Sequence, residues 1–153
     1  MLRLELGNRA ELARLLGAAL PEDWPPGEYD EAAILYFLEE TEAKGEAGAG
    51  WLNWYAVTRQ EPLLLAGCGG FLGAPDTEGS VEIGYSMAKA ARRRGLAGEM
   101  VAALVASAFA RGVRRIVAHT TRENIASIAV LTKNGFCEKG CGAEGMLEYE
   151  WLV

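Results

Sequence analysis

Apolar residues along the chain change their spacing several times, and each change marks the edge of an element. Leu2, Leu4 and Leu6 alternate with Arg3 and Glu5, a pattern that predicts a short strand. Asn8 followed by Glu11 resembles a capping box and opens a helix to about residue 19, with Leu12, Leu15, Leu16 and Ala19 on one face. Pro21, Pro25, Pro26 and Gly27 interrupt the chain. A second helix is expected from near Asp30 to before Gly45, with Ile34, Phe37 and Leu38 inward. Residues 51–59 and 63–72 read as strands joined by a turn at Gln60, Glu61 and Pro62, and residues 81–87 as a third. Residues 95–111 have helical spacing, with Leu96, Met100, Leu104 and Ala108 on one stripe and Gly112 as the stop. A strand over 115–121 and a helix over 124–133 follow, the helix ended by Asn134-Gly135. Residues 136–140 and 146–152 form a closing pair of strands. Seven strands and four helices in this order predict a mixed α/β domain.

Composition narrows this picture. The 153 residues, 50% of them hydrophobic, suffice for one core, so residues 1–153 are expected to form a single domain. The three cysteines, Cys68, Cys137 and Cys141, read as free and mostly buried thiols. With His119 the only histidine, no metal site is expected. A net charge of −6 argues against a nucleic-acid partner. Locally, however, Arg92, Arg93 and Arg94 run together, and Arg111, Arg114 and Arg115 follow. Such a patch suits a small polyanion, or is simply a solvated helix start. The apolar stretches are too short and too interrupted to span a bilayer, and the start lacks a leader pattern; the expected location is the cytoplasm.

Chemistry concentrates in Arg92-Arg93-Arg94-Gly95-Leu96-Ala97-Gly98, between a strand and a long helix. The first amides of a helix lack intrahelical partners, and the helix dipole adds partial positive charge there. Gly95, Ala97 and Gly98 allow a phosphate to approach those amides. The segment lacks the lysine of a Walker loop and the glycine spacing of a dinucleotide fingerprint. An ordinary glycine-bearing helix start is the alternative.

Arg92-x-x-Gly95-x-Ala97 resembles the phosphate loop Q/R-x-x-G-x-G/A of the GNAT acetyltransferase superfamily. Val81-Glu82-Ile83-Gly84-Tyr85-Ser86 looks like the strand before that loop in the branch related to ribosomal-protein N-acetyltransferases. Asn124-x-x-Ser127 and Val130-Leu131-x-Lys133-x-Gly135-Phe136 look like that branch's following signatures, and the resemblance covers residues 67–140. It implies a mixed, mostly antiparallel central sheet flanked by helices, with the fourth and fifth strands splayed apart. It also implies transfer of an acetyl group from acetyl-CoA, as co-substrate, to an amine acceptor.

Carried over by position, the amides of Arg93, Arg94, Gly95, Ala97 and Gly98 would hold the pyrophosphate, with Arg92 ordering the loop. Tyr85, Ser86 and Met87 would offer a free strand edge to the pantetheine arm, and the Tyr85 amide would be the oxyanion donor. Asn124 would contact the arm, or only cap its helix. Ser127 would protonate or hydrogen-bond the leaving thiolate, or only pack. The tyrosine many members carry as general acid is Leu131 here. Glu82 would be the base, or a solvated strand glutamate, with Glu144, Glu148 and Glu150 as unranked alternatives. His119 reads as structural. The connection carrying Glu22, Asp23, Trp24, Glu28 and Tyr29 would wall the acceptor site, or Trp24 would plug the core. The resemblance also suggests a homodimer. A catalytically degenerate acyl-CoA-binding module and a plain nucleotide-binding domain are the competing readings.

Overall fold

A computed structural model describes residues 1–27, 29–142 and 145–152. The chain starts with helices α1 (Leu2–Gly7), α2 (Arg9–Leu16) and α3 (Glu31–Lys44). Strands β1 (Asn53–Val57), β2 (Leu65–Phe71) and β3 (Ser80–Met87) follow, then α4 (Leu96–Ala110), β4 (Arg115–Thr120), α5 (Ile125–Lys133), β5 (Cys137–Cys141) and β6 (Leu147–Leu152).

The expected first strand is a helix. A strand would place Leu2 and Glu5 on opposite faces, whereas a helix places residues three apart together. Both are buried here, because the Glu5 carboxylate accepts hydrogen bonds from Trp24 Nε1 at 2.6 Å, Tyr29 at 2.9 Å and Tyr55 at 2.6 Å. A buried carboxylate needs such donors, and only the helical register delivers Glu5 to them. Asn8 caps α2 as expected, its Oδ1 accepting from the Glu11 amide, but Gly17 in a left-handed conformation ends the helix short of residue 19. Asp30 caps α3 in the same way.

Six strands, in the order β1-β2-β3-β4-β6-β5, form one open sheet in which only the β3–β4 pair is parallel. One face carries α4 and α5 over a core of Phe71, Val81, Ile83, Val101, Leu104, Ile116 and Leu131. The other is covered over β1 and β2 by the first three helices, around Trp24, Tyr29, Ile34, Phe37 and Leu65. Over β4 and β6 that second face bears charged side chains.

The decisive feature lies between β3 and β4. They pair only from Ser80↔Arg115 to Glu82↔Val117. Beyond that rung β3 continues to Met87 against β2, and β4 continues to Thr120 against β6, so the two part company and leave a split. This is the splay expected of the fourth and fifth strands, one strand earlier in the count because the first became a helix.

The closing strands hold a second correction. A register shift between Glu138 and Gly140 pairs Cys137 with Glu150 and Cys141 with Leu147, which puts the two cysteines on opposite faces. Both are exposed rather than buried; Cys68 is buried.

Candidate active site

The backbone of β3 decides what the split offers. The Leu72 amide donates to Glu82 O, and the Ala88 amide donates to Ala66 O. Antiparallel pairing alternates, so Gly84 and Ser86 also turn their backbone groups toward β2. Ile83, Tyr85 and Met87 turn theirs the other way, into the split. The amides of Tyr85 and Met87 therefore face the split, while that of Ser86 does not. Its backbone faces β2, and its hydroxyl donates to Pro26 O at 2.7 Å.

At the end of β3 the chain turns into α4 through the basic loop. Arg92 Nε donates to Met87 O at 3.0 Å, tying the loop to the strand end. Arg93 and Gly95 both have left-handed backbone, with φ of 58° and 79°. That conformation costs nothing for Gly95 and is strained for Arg93, and it turns the chain sharply into the first amides of α4. An ideal Cβ on Gly95 would meet nothing within 4 Å, so the approach to those amides is open.

Strand edge, loop and helix starts enclose a cavity of about 510 Å³. Of the residues singled out from sequence, Tyr85, Ser86, Met87, Arg92, Arg93, Gly95, Ala97, Gly98, Asn124 and Ser127 line it. Arg94 is exposed and does not line it, and neither does Glu82. Sequence reasoning missed Gly27, Ala91, Leu96, Ala126 and Val130. Gly27 has a legible signal in hindsight. Its φ is 61°, and an ideal Cβ would stand 2.7 Å from Ser86 Oγ, so only glycine lets the Pro25-Pro26 turn close against β3.

On the α5 wall, Asn124 is an N-cap, its Oδ1 accepting from the Ser127 amide at 3.1 Å. Ser127 Oγ lies 2.9 Å from the Tyr85 hydroxyl, which also donates to Ser127 O at 3.3 Å. Sequence reasoning used only the Tyr85 amide; its phenol is a second functional group in the cavity. Burial pushes that phenol above its usual pKa, against a smaller opposite pull from Ser127, so it stays protonated near neutrality. Leu131 is fully buried among the core residues, and no hydroxyl comes from that position.

The other face of the split carries a charged cluster. Glu82, on the last paired rung of β3, lies 2.8 Å through Oε1 from Nδ1 of His119. His119 Nε2 is 3.5 Å from Glu148 Oε2. Burial lowers the pKa of the His119 ring, but its hydrogen bonds and the charges of Glu82 and Glu148 outweigh that, and the net shift is upward. Glu150 is committed elsewhere: Arg115 Nε donates to it at 2.7 Å, Lys139 Nζ stands 3.6 Å away, and Arg115 holds its carboxyl below the usual range. Glu144 lies outside the described residues. Glu82, with 38% of its side chain exposed, is the most accessible of these acids.

Trp24 and Tyr29 present almost no surface to an acceptor. Both are buried on Glu5, so the aromatic part of the connection is a core plug. Glu28 lies outside the described residues. Asp23 faces outward and accepts from the Lys89 amide at 2.9 Å, holding the connection to the start of the loop.

A family model for the acetyltransferase (GNAT) domain matches residues 2–137. The chain belongs to the GNAT acetyltransferase family. This acetyltransferase is similar to the uncharacterised N-acetyltransferase YjdG of Bacillus subtilis (strain 168), with 35% identity over 122 residues, 79% of this chain and 71% of that one. Among solved structures it is similar to a GNAT-family acetyltransferase from Bacillus anthracis, with 27% identity and a TM-score of 0.55 over 66% of this chain. It spans 64% of that protein's length. A candidate ribosomal-protein-serine acetyltransferase from Vibrio cholerae shares its fold over 100% of this chain and 90% of that one, with a TM-score of 0.69 at 16% identity. Acetyl-CoA is the co-substrate of the family. No helix of this acetyltransferase among the described residues is long and apolar enough to cross a membrane. Among them, no group of three or more His, Cys, Asp or Glu side chains is arranged so as to hold a metal ion.

Proposed function

We propose that this domain transfers the acetyl group of acetyl-CoA to a primary amine by direct attack of the amine on the thioester. One observation carries the reading: the free edge of β3 at Tyr85 and Met87 runs straight into the loop and the open helix start, all in one cavity. An extended thioester arm pairs with such an edge as an added strand, and its diphosphate then meets the amides of Gly95, Ala97 and Gly98. The Tyr85 N–H faces the thioester oxygen and stabilises the negative charge of the tetrahedral intermediate.

An ammonium has no lone pair, so a base must first take its proton. Glu82, on the charged side of the split, fills that role directly or through a water. The neutral amine attacks the carbonyl carbon, the nitrogen of the intermediate gives up its second surplus proton to solvent water, and the intermediate collapses to the amide with loss of the CoA thiolate. The Tyr85 and Ser127 hydroxyls hydrogen-bond that thiolate, and its low proton affinity makes full proton transfer unnecessary. Acids around the split favour a cationic acceptor such as a peptide N-terminus or a polyamine.

A thiol-release screen with acetyl-CoA against peptides, polyamines, amino acids and aminoglycosides tests this reading, and at least one amine class is expected to turn over. Thermal-shift competition is expected to rank acetyl-CoA and CoA above ATP and NAD; the reverse order overturns the cofactor assignment. A second reading, a CoA-binding module without turnover, is favoured by the fully buried Leu131 at the usual acid position. It predicts CoA binding with no thiol release across the panel.

A further inference from the structure

The charged face of the split contains a group that the reaction as written does not use. His119 is the only histidine of the chain, and it sits two residues beyond the last β3–β4 rung, where β4 borders the split. Its Nδ1 is 2.8 Å from Glu82 Oε1, and its Nε2 is 3.5 Å from Glu148 Oε2. The ring, carried on β4, therefore bridges a carboxylate of β3 to a carboxylate of β6 at the point where β3 and β4 stop pairing. Gly142, the residue after β5, stands beside it: an ideal Cβ there would lie 3.2 Å from both Cδ2 and Nε2 of the ring. A side chain at that position would crowd the ring.

We propose that His119 is the positioning residue of the base, its Nδ1–H fixing Oε1 of Glu82 so that Oε2 is left to take the proton of the acceptor ammonium. This rests on the acetyl-transfer reading above. A strand glutamate with 38% of its side chain exposed has several rotamers open to it, and one hydrogen bond to a fixed ring selects among them. A base misplaced by about 1 Å can cost up to about a hundredfold in rate, so a rigid support matters. Glu148 completes the arrangement by accepting from Nε2 when the ring is protonated. Arg115 stands 3.4 Å from Glu148 and bonds Glu150, and Lys139 also faces Glu150; these are the other charged groups around the ring among the described residues.

The clamp makes the site sensitive to pH. As an imidazolium, His119 draws charge from Glu82 and weakens it as a base; as a neutral Nδ1–H donor it holds Glu82 without that cost. The rate constant kcat is expected to step upward as pH rises through the titration of the ring, which lies above that of a free histidine.

The chain's single histidine gives one set of imidazole signals, so its titration can be followed by NMR without any turnover. In the wild type the midpoint is expected above the ordinary histidine range, and Glu82→Gln or Glu148→Gln is expected to bring it down. In parallel, His119→Gln is expected to lower kcat about ten- to a hundredfold with an unchanged KM for acetyl-CoA. The variant should also lose the step in kcat that the wild type shows with the same acceptor. A midpoint unmoved by Glu82→Gln, or matching pH profiles in wild type and His119→Gln, overturns the proposal. Absence of any wild-type turnover would instead strike at the acetyl-transfer reading, and the NMR titration would still decide whether the clamp exists.

Discussion

The proposed contact to the leaving thiolate rests on the Tyr85–Ser127 hydroxyl pair. With leucine at position 131, the cavity's hydroxyls come from β3 and from the first turn of α5, 2.9 Å apart. Tyr85→Phe and Ser127→Ala are each expected to lower kcat by about tenfold or less. That is below the 10²–10⁴ of a full general acid, because a thiolate leaves readily. The double variant is expected to lose little more than either single one, and fully additive losses would show that the hydroxyls act independently. His119 supports a prediction on stability as well. Its folded pKa is raised, so its contribution is fully present below the unfolded value of about 6.5 and is lost as pH rises through the folded value. The Tm gap between wild type and His119→Gln is therefore expected to be widest in mild acid and to shrink at alkaline pH. Little of this was legible in the sequence. Nothing in the spacing of Glu82, His119 and Glu148 shows that three strands bring them together, whereas Arg92 to Gly98 are contiguous and could be read as one unit.

At the scale of elements, most boundaries followed from caps and glycines: Asn8, Asp30, Asn124 and Gly135 stand where the local rules put them. The failure was α1, where alternating leucines mimic a strand. A contact with Trp24, Tyr29 and Tyr55, residues 19 to 50 positions away, overrides that pattern. Glu5→Leu leaves two buried donors, Trp24 and Tyr29, and the half-buried Tyr55 without an acceptor, each costing about 1–3 kcal/mol. The expected result is a loss of at least about 3 kcal/mol in urea denaturation, with Glu5→Gln milder because its amide oxygen still accepts. The β3 strand supports a sharper test. Gly84 and Ser86 amides are already bonded to β2, whereas those of Tyr85 and Met87 face the split. Acetyl-CoA is expected to slow hydrogen exchange at Tyr85 and Met87 far more than at their neighbours. Uniform protection along the strand would contradict the added-strand pairing.

For the whole molecule, the sheet has two working faces with a split between them. The cavity lies toward α4 and α5, and the charged cluster lies on the opposite side. Two substrates arriving from opposite sides can occupy the split together, which direct transfer requires. Intersecting double-reciprocal plots are expected for acetyl-CoA and the acceptor, while parallel lines would point to a covalent acetyl-enzyme. Gly98→Trp is expected to abolish the thermal shift by acetyl-CoA and leave the bare protein's Tm nearly unchanged. The site is an ordinary helical position facing the cavity, and the only atom near an ideal Cβ is Asn134 Nδ2 at 3.8 Å. The three-rung β3–β4 ladder also bears on the protein's life in a cell. In the proposed reading the coenzyme pairs with the strand edge at the centre of the sheet, and occupancy at a hundred times Kd would add about 2.7 kcal/mol. Well-fed cells would then hold a sturdier, longer-lived population of this protein. Coenzyme scarcity would expose it to proteases before it slowed catalysis for want of substrate.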